Sequence, residues 1–373
     1  MIRLKTAALA ILAFGLGADV APAEEFAANN WLEGSDPMSA IGYVEWAKHV
    51  AERTNGDITF KVFTGGSLIP PTEVLPGLRN GLASVGYHAG TYTPRDLPAT
   101  NVVAAMAAIN SDMLVTMAAT TDMSFNNPDI QAEYKKVGLV YGGGYSSPPY
   151  NLICNQEIRS LADLKAAKVR ASGGVTNRWL QSVGASIVNI PSSETYQAIE
   201  RGVIACSLNA VQALKYRSWW DVAHFVTDLP VGPYYAGALY LYNKDFWDQH
   251  SPEQRRILLE EAAKSAVAVI FAFQMNTDAT EAEMGAKGVT VITPDSDLVE
   301  ATTTFFAQDA DALPLIMSES TGLTPEIIER TVADYKTKLD KWTALIGGID
   351  RTDQDAVAAL LISEIFSKVD VAH

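Results

Sequence analysis

Residues 253–284 run for 32 positions without a glycine or a proline. Ser251-Pro252-Glu253-Gln254 stands in front of them, with a capping serine, proline at the first helical position and glutamine three residues past the cap; Gly285 closes the run. At ~1.5 Å per residue this predicts a single helix of about 48 Å, against a usual length of ~12 residues. Such a helix must cross more than one compact unit or protrude from it. Its middle, residues 262–273, is almost wholly apolar and therefore has to be buried. The run reads as a spine shared by two lobes.

Around that spine, short extended runs alternate with amphipathic segments. Residues 41–53 carry Ile41, Val44, Ala47 and Val50 on one helical face and stop at Asn55-Gly56. Residues 57–63 follow as a strand, with Ile58, Phe60 and Val62 alternating against Thr59 and Lys61. The unit recurs as helix 161–165 and strand 168–171, helix 177–184 and strand 186–190, helix 193–202 and strand 203–209. Strands alternating with helices of this length predict βαβ units, an α/β fold and a mostly parallel sheet. Residues 137–141 read as a further strand, and Gly142-Gly143-Gly144 after them as a flexible crossover suited to a hinge.

The start of the chain falls outside this pattern. Arg3 and Lys5 precede the apolar stretch 7–16, which is too short to span a bilayer, and Ala21-Pro22-Ala23 puts small residues at the −3 and −1 positions before Glu24. Residues 1–23 read as a secretory signal peptide cleaved after Ala23, and the mature chain as a soluble, exported protein with no direct membrane insertion. Of 28 basic and 43 acidic residues the mature chain keeps 26 and 42, a formal charge of −16 with no basic block. That balance argues against nucleic acid and anionic membranes as partners. With 48% hydrophobic residues over 373 positions, the chain can bury the cores of two or three domains.

Cys154 and Cys206 lie 52 positions apart, without the CxxC or Cys/His spacing of a metal or redox site. Export permits a disulfide. Both cysteines nevertheless sit in apolar, β-branched surroundings, Leu152-Ile153-Cys154 and Val203-Ile204-Ala205-Cys206, and two buried free thiols are expected over a bridge.

No catalytic constellation stands out. The five histidines, His49, His88, His224, His250 and His373, form no HxxxH or HExxH pair, and no GxSxG elbow or P-loop is present. No cofactor or metal is expected. What does stand out is Arg170, which ends the strand Lys168-Val169-Arg170 ahead of Ala171-Ser172-Gly173-Gly174. Open α/β sheets place ligands at the carboxyl ends of their strands, and a guanidinium there offers a planar fork of donors matched to a carboxylate.

Several local stretches follow one another in a specific order: Glu52-Arg53-Thr54-Asn55-Gly56, Phe63-Thr64-Gly65-Gly66-Ser67-Leu68, Leu78-Arg79-Asn80-Gly81, Ile158-Arg159-Ser160-Leu161-Ala162-Asp163-Leu164-Lys165, Lys168-Val169-Arg170, Val183-Gly184-Ala185, and the run from Pro191-Ser192-Ser193-Glu194 to Ile204. With this ordered set the chain, from about Phe26 to its C-terminus, resembles the periplasmic solute-binding proteins of tripartite ATP-independent (TRAP) transporters, of the DctP, C4-dicarboxylate-binding type. The resemblance implies two α/β lobes joined by crossover strands with a long helix across both. Residues 24–147 with 236–275 would form the first lobe and 148–235 with 276–373 the second. It implies a monomeric receptor that captures a small organic acid anion between the lobes and delivers it to a TRAP membrane permease for ion-coupled uptake. A periplasmic enzyme or a ligand sensor on the same scaffold is the alternative.

In such a receptor Arg170 grips the ligand carboxylate and Asn209 supports it. Tyr150 stands where many family members carry a second arginine, Ala166-Ala167 where the family has a glycine, and Ala205-Cys206 where it has Asp-Gly. Loss of the second cation favours a monocarboxylate with an apolar or hydroxylated body over a dicarboxylate, unless Arg178 or Arg95 approaches from elsewhere. Ser192, His88, Tyr92 and Trp219 complete the candidate ligand-binding set, with Tyr87 as a further aromatic wall.

Overall fold

Across residues 25–171, 173–235 and 237–372, which the computed structural model describes, eleven strands divide into two mixed sheets. The signal-peptide expectation for residues 1–23 lies outside them. The first sheet has the order β2 (Thr59–Phe63), β1 (Glu25–Asn29), β3 (Val85–Ala89), β10 (Gly237–Asn243), β4 (Leu139–Gly144). The second has the order β11 (Thr290–Ile292), β9 (Phe225–Thr227), β5 (Asn151–Cys154), β8 (Cys206–Asn209), β6 (Lys168–Ala171), β7 (Ser186–Asn189). The recurring helix–strand units of the sequence supply the parallel part, β6 with β7 and β8 in one sheet and β1 with β2 and β3 in the other.

The expectation of a mostly parallel sheet is corrected at two strands. β5 runs antiparallel to β8 and β9, and β10 runs antiparallel to β3 and β4. Both follow a crossover: the chain leaves β4 through residues 145–150 to become β5, and leaves β9 through residues 228–236 to become β10. Each arrives at the carboxyl edge of the sheet it joins and so has to run against the strands already there. The two crossover segments pair with each other, Tyr150 N–H donating to Gly232 C=O at 2.9 Å, Val231 N–H to Tyr150 C=O at 2.9 Å and Ser147 N–H to Tyr234 C=O at 3.0 Å.

The glycines expected to hinge this crossover lie inside β4 instead, buried. A Cβ on Gly142 would fall 2.2 Å from the Tyr242 ring, and one on Gly144 would fall 2.6 Å from Tyr141 Oη. Their smallness admits the aromatic side chains packed against the strand.

The predicted spine is one helix, Pro252–Met284, opened by a capping box in which Ser251 and Gln254 satisfy each other's backbone N–H groups. Leu258, Val267, Ile270 and Phe273 are buried in the core of the first sheet, while Met284 is buried with Val226 and Val289 beside the second. The helix is thus a third connection between the lobes. Among the described residues, no helix is long and apolar enough to cross a membrane.

The C-terminal part departs from the expected division. The Ser296–Thr321 helix starts with Leu298 in the second sheet's core, but Pro325–Gly347 and Gln354–Glu364 bury Ile328, Tyr335, Trp342 and Leu361 in the first. Asp122 anchors the Pro325–Gly347 helix, accepting hydrogen bonds from Lys338 Nζ (2.8 Å), Lys341 Nζ (2.8 Å) and Trp342 Nε1 (2.9 Å). Burial raises the pKa of this carboxyl, but those bonds outweigh it and hold it below the ordinary carboxylate value.

A further correction concerns the cysteines. Cys154 and Cys206 are register partners on antiparallel β5 and β8, their Cα atoms 4.1 Å apart, and they form a buried disulfide. The apolar surroundings of both were real, but the strand pairing that joins them was not visible in either segment.

Candidate ligand cleft between the sheets

The carboxyl ends of the parallel strands of both sheets face one another, the position in which open α/β sheets hold ligands. Trp31 follows β1, Tyr87 lies on β3, Tyr92 follows β3 and Tyr145 follows β4. From the other side come Arg170 on β6, Ser192 after β7, Asn209 at the end of β8, Tyr150 before β5, and Arg217 beyond the short Ala213–Tyr216 helix. These residues line a cavity of about 30 Å³ with Leu32, Met38 and Tyr234. A second cavity of about 40 Å³ shares Tyr145, Tyr150, Asn209 and Arg217 with it and adds Asp36, Gln212 and Phe273.

The walls are aromatic. Trp31 stacks on Tyr87, ring centroids 4.9 Å apart, and Tyr150 stacks on Tyr234 at 5.2 Å. Trp31 Nε1–H donates to the Tyr87 carbonyl at 3.2 Å, and the Tyr87 and Tyr145 hydroxyls share a 2.7 Å hydrogen bond. These bonds fix flat apolar faces toward the cavity at rigid angles. Burial and the neighbouring Tyr234 raise the Tyr150 pKa, while Arg170 and Arg217 pull it the other way; the phenol stays neutral.

Arg170 is 1% exposed. Its Nε–H donates to Ile190 C=O at 3.0 Å and its Nη2 to Tyr92 Oη at 3.3 Å. Its Nη1 has no partner among the described residues. A buried donor left open on a cation is costly, and this one lies in the wall of the cavity. Asn209 turns its Oδ1 back onto the Ala210 N–H at 2.8 Å, which presents the other end of the amide, a donor.

Arg217 is the second cation of the cleft. It comes from the second sheet's side and meets Asp36 from the first, Nη2 to Oδ2 at 3.2 Å, with Glu33 4.0 Å from its Nε. Burial opposes its charge, but Asp36 and Glu33 outweigh that and raise its pKa above the ordinary guanidinium value. Its Nη1 also has no partner among the described residues.

Of the residues singled out in the sequence, Arg170, Asn209, Tyr150, Ser192 and Tyr92 converge on one cavity, and Tyr87 joins them. His88 does not: it alternates with Tyr87 on β3 and so points to the other face, where its Nε2 meets Thr93 Oγ1 at 2.9 Å and burial pushes its pKa down to about 4. Trp219 is buried in the second lobe's core beneath Arg217, whose Cζ lies 5.8 Å from its ring. Arg178 forms a bidentate pair with Asp309, and Arg95 is exposed; neither replaces the missing arginine. Sequence reasoning missed Trp31, Tyr145, Tyr234 and Arg217. Arg217 carried one usable signal, a position on the connection that leaves a strand's carboxyl end, beside the Trp219-Trp220 pair.

Comparison with known proteins adds a family. Residues 30–310 match the family model for DctP, bacterial extracellular solute-binding protein, family 7. A monocarboxylate 2-oxoacid-binding periplasmic protein of Nostoc is 26% identical over 213 residues, 48% of this chain and 53% of the relative. The chain thus aligns with about half of that relative's length. Among solved structures, a TRAP solute-binding protein from Rhodoferax ferrireducens in complex with copurified benzoate superposes with a TM-score of 0.75 at 15% identity, covering 86% of this chain and 99% of the other. One from Bordetella bronchiseptica with bound (R)- and (S)-mandelate gives 0.73 at 18% identity, covering 85% and 99%. At these identities the likeness is one of fold.

Proposed function

The chain belongs to family 7 of the bacterial extracellular solute-binding proteins, the DctP type, and from that membership we propose that it captures a small organic monocarboxylate between its lobes, with the carboxylate held by Arg170. The observation that carries this reading is the Arg170 guanidinium: buried, paired with no carboxylate among the described residues, and with Nη1 open at the cavity wall. A ligand carboxylate would satisfy that donor and neutralise the charge in one contact.

Counting charge supports a monoanion. Arg217 is compensated by Asp36, which leaves one uncompensated cation in the cleft. The flat faces of Trp31, Tyr87, Tyr150 and Tyr234 suit a ring or an apolar body. The 2-oxoacids, mandelate and benzoate named for the relatives are acids of this class. The protein then works as a monomer, exported with its signal peptide removed after Ala23, and hands its ligand to a TRAP membrane permease for ion-coupled uptake.

A thermal-shift screen of monocarboxylates, followed by calorimetry on the strongest, tests the reading, because a ligand stabilises the folded protein by RT ln(1 + [L]/Kd). Arg170→Ala should weaken the best acid at least a hundredfold, since the carboxylate would lose its only counter-charge in a desolvated site. Binding within threefold of the wild type would remove Arg170 from the site.

A further inference from the structure

The Asp36–Arg217 pair joins the two lobes across the cleft, and both partners line the cavity that adjoins Arg170. Asp36 is 3% exposed. Its Oδ1 accepts the Met38 N–H at 3.0 Å and caps a short helix, while its Oδ2 faces Arg217. The cap needs only an oxygen acceptor, which an asparagine would supply equally well. The negative charge is therefore surplus to the local fold. Its one strong partner is Arg217, whose Nη1 remains open.

We propose that Asp36 is a specificity-determining residue, which restricts the cleft to monoanions by occupying the charge of Arg217. The inference rests on the Arg170 reading above. With Asp36 ionised against Arg217, and the more exposed Glu33 4.0 Å from its Nε, Arg170 is the cation of the cleft that has no carboxylate partner among the described residues. A second ligand carboxylate then meets a guanidinium already paired, beside an aspartate that repels it, and burying an anion without a counter-charge is strongly unfavourable. With that aspartate neutralised, the same Arg217 keeps only the longer, more exposed contact with Glu33 and becomes the second cation that Tyr150 does not supply. Discrimination between mono- and dianions then comes from an acidic residue placed against the wrong ligand, rather than from a missing base.

The test is Asp36→Asn, which keeps the helix cap and the side-chain volume, read by calorimetry with two matched probe pairs, butyrate against succinate and benzoate against isophthalate. The expected result is that affinity for the diacid rises at least tenfold relative to its monoacid partner in the variant. Arg217→Gln added to Asp36→Asn should return that ratio to the wild-type value. If no diacid gains on its monoacid in Asp36→Asn, the proposal is overturned. Arg217→Gln alone guards against a variant that fails to fold: it leaves Asp36 as an unpaired anion, so monoacid affinity should fall at least tenfold, and unchanged affinity also overturns the proposal. Failure of the Arg170 reading would be seen separately, as monoacid binding that survives Arg170→Ala.

Discussion

Tyr92, which follows β3 in the first sheet, places its hydroxyl 3.3 Å from Arg170 Nη2 in the second, and the same oxygen accepts the Ser192 N–H at 3.1 Å. One phenol thus holds two strand-end segments of the opposite lobe. Tyr92→Phe keeps the ring, 5.7 Å from Trp31, and removes both bonds. At ~1 kcal/mol each, their loss should speed ligand dissociation about tenfold or more, with stopped-flow fluorescence as the measurement. An unchanged dissociation rate would show that the hydroxyl has no part in holding the lobes together.

Closure should be visible in solution. The cavities of about 30 and 40 Å³ are far smaller than the ~150 Å³ that takes one benzene ring, so the lobes must separate to admit an organic acid. The paired crossovers and the long helix are the elements that bend. Small-angle scattering should show a wider particle without ligand that contracts at saturating concentrations of the best acid. Superimposable profiles in both conditions would argue for a fixed pocket.

The disulfide closes a loop of 52 residues in the second lobe. The chain-entropy estimate for such a loop is about 4 kcal/mol, with measured values commonly ~2–4 kcal/mol. A Cys154→Ala/Cys206→Ala protein should therefore lose stability by that margin, read as a lower denaturant midpoint. Equal midpoints under oxidising and reducing conditions would contradict a structural bridge.

His88 gives a pH dependence whose sign is fixed by burial. Its folded pKa is about 4, against 6.5 when unfolded. Between those values the unfolded chain binds the proton and the folded chain does not, so stability is full above about 6.5 and declines as the pH falls toward about 4. The total loss is about 3 kcal/mol. Glu133 titrates in the same region, its pKa raised to about 6 chiefly by burial, so the comparison needed is with His88→Gln. The stability advantage of the wild type over this variant should shrink from pH 7 to pH 4, and a constant difference would mean that His88 is not held neutral.

Asp122 is 1% exposed and binds Lys338, Lys341 and Trp342. Asp122→Ala leaves the Lys338 ammonium and the Trp342 indole N–H without this acceptor, and Lys341 with only Glu364 at 3.9 Å, and should destabilise the protein by roughly 3 kcal/mol. Hydrogen exchange should show the largest gain in the Pro325–Gly347 helix. Protection there equal to the wild type would mean that the helix is held by its apolar face alone.

What the sequence made legible was local. Strand β6, the Ser251–Gln254 capping box and the long helix are written in contiguous patterns, and Arg170 could be read as a site residue because a strand end and a glycine-rich loop flank it. Asp36 caps the turn Pro37–Ser39 and Arg217 ends the Ala213–Tyr216 helix, far apart in the chain, and only the approach of one lobe to the other makes them a pair. The Cys154–Cys206 bridge depends on β5 lying antiparallel beside β8, a consequence of the crossover that βαβ reasoning does not contain. His88 and Tyr87 show the limit of composition: adjacent on β3, they differ by the side of the sheet on which each emerges.

The packing of the C-terminal helices also sets an order of assembly. The first core gathers residues from 28–145, 235–273 and 313–366, whereas the core beside β5, β6 and β8 is drawn from 150–231 with Leu298. Contacts between distant parts of a chain form slowly, because the intervening segment must be closed into a loop first. A chain delivered from its N-terminus can complete most of its middle unit while Trp342 and Phe366 are still unavailable to the first. Pulse-labelled hydrogen exchange during refolding should accordingly protect the amides of β5, β6 and β8 before those of β1, β3 and β10. The part of the protein that carries Arg170 is then finished before the part that must close over it.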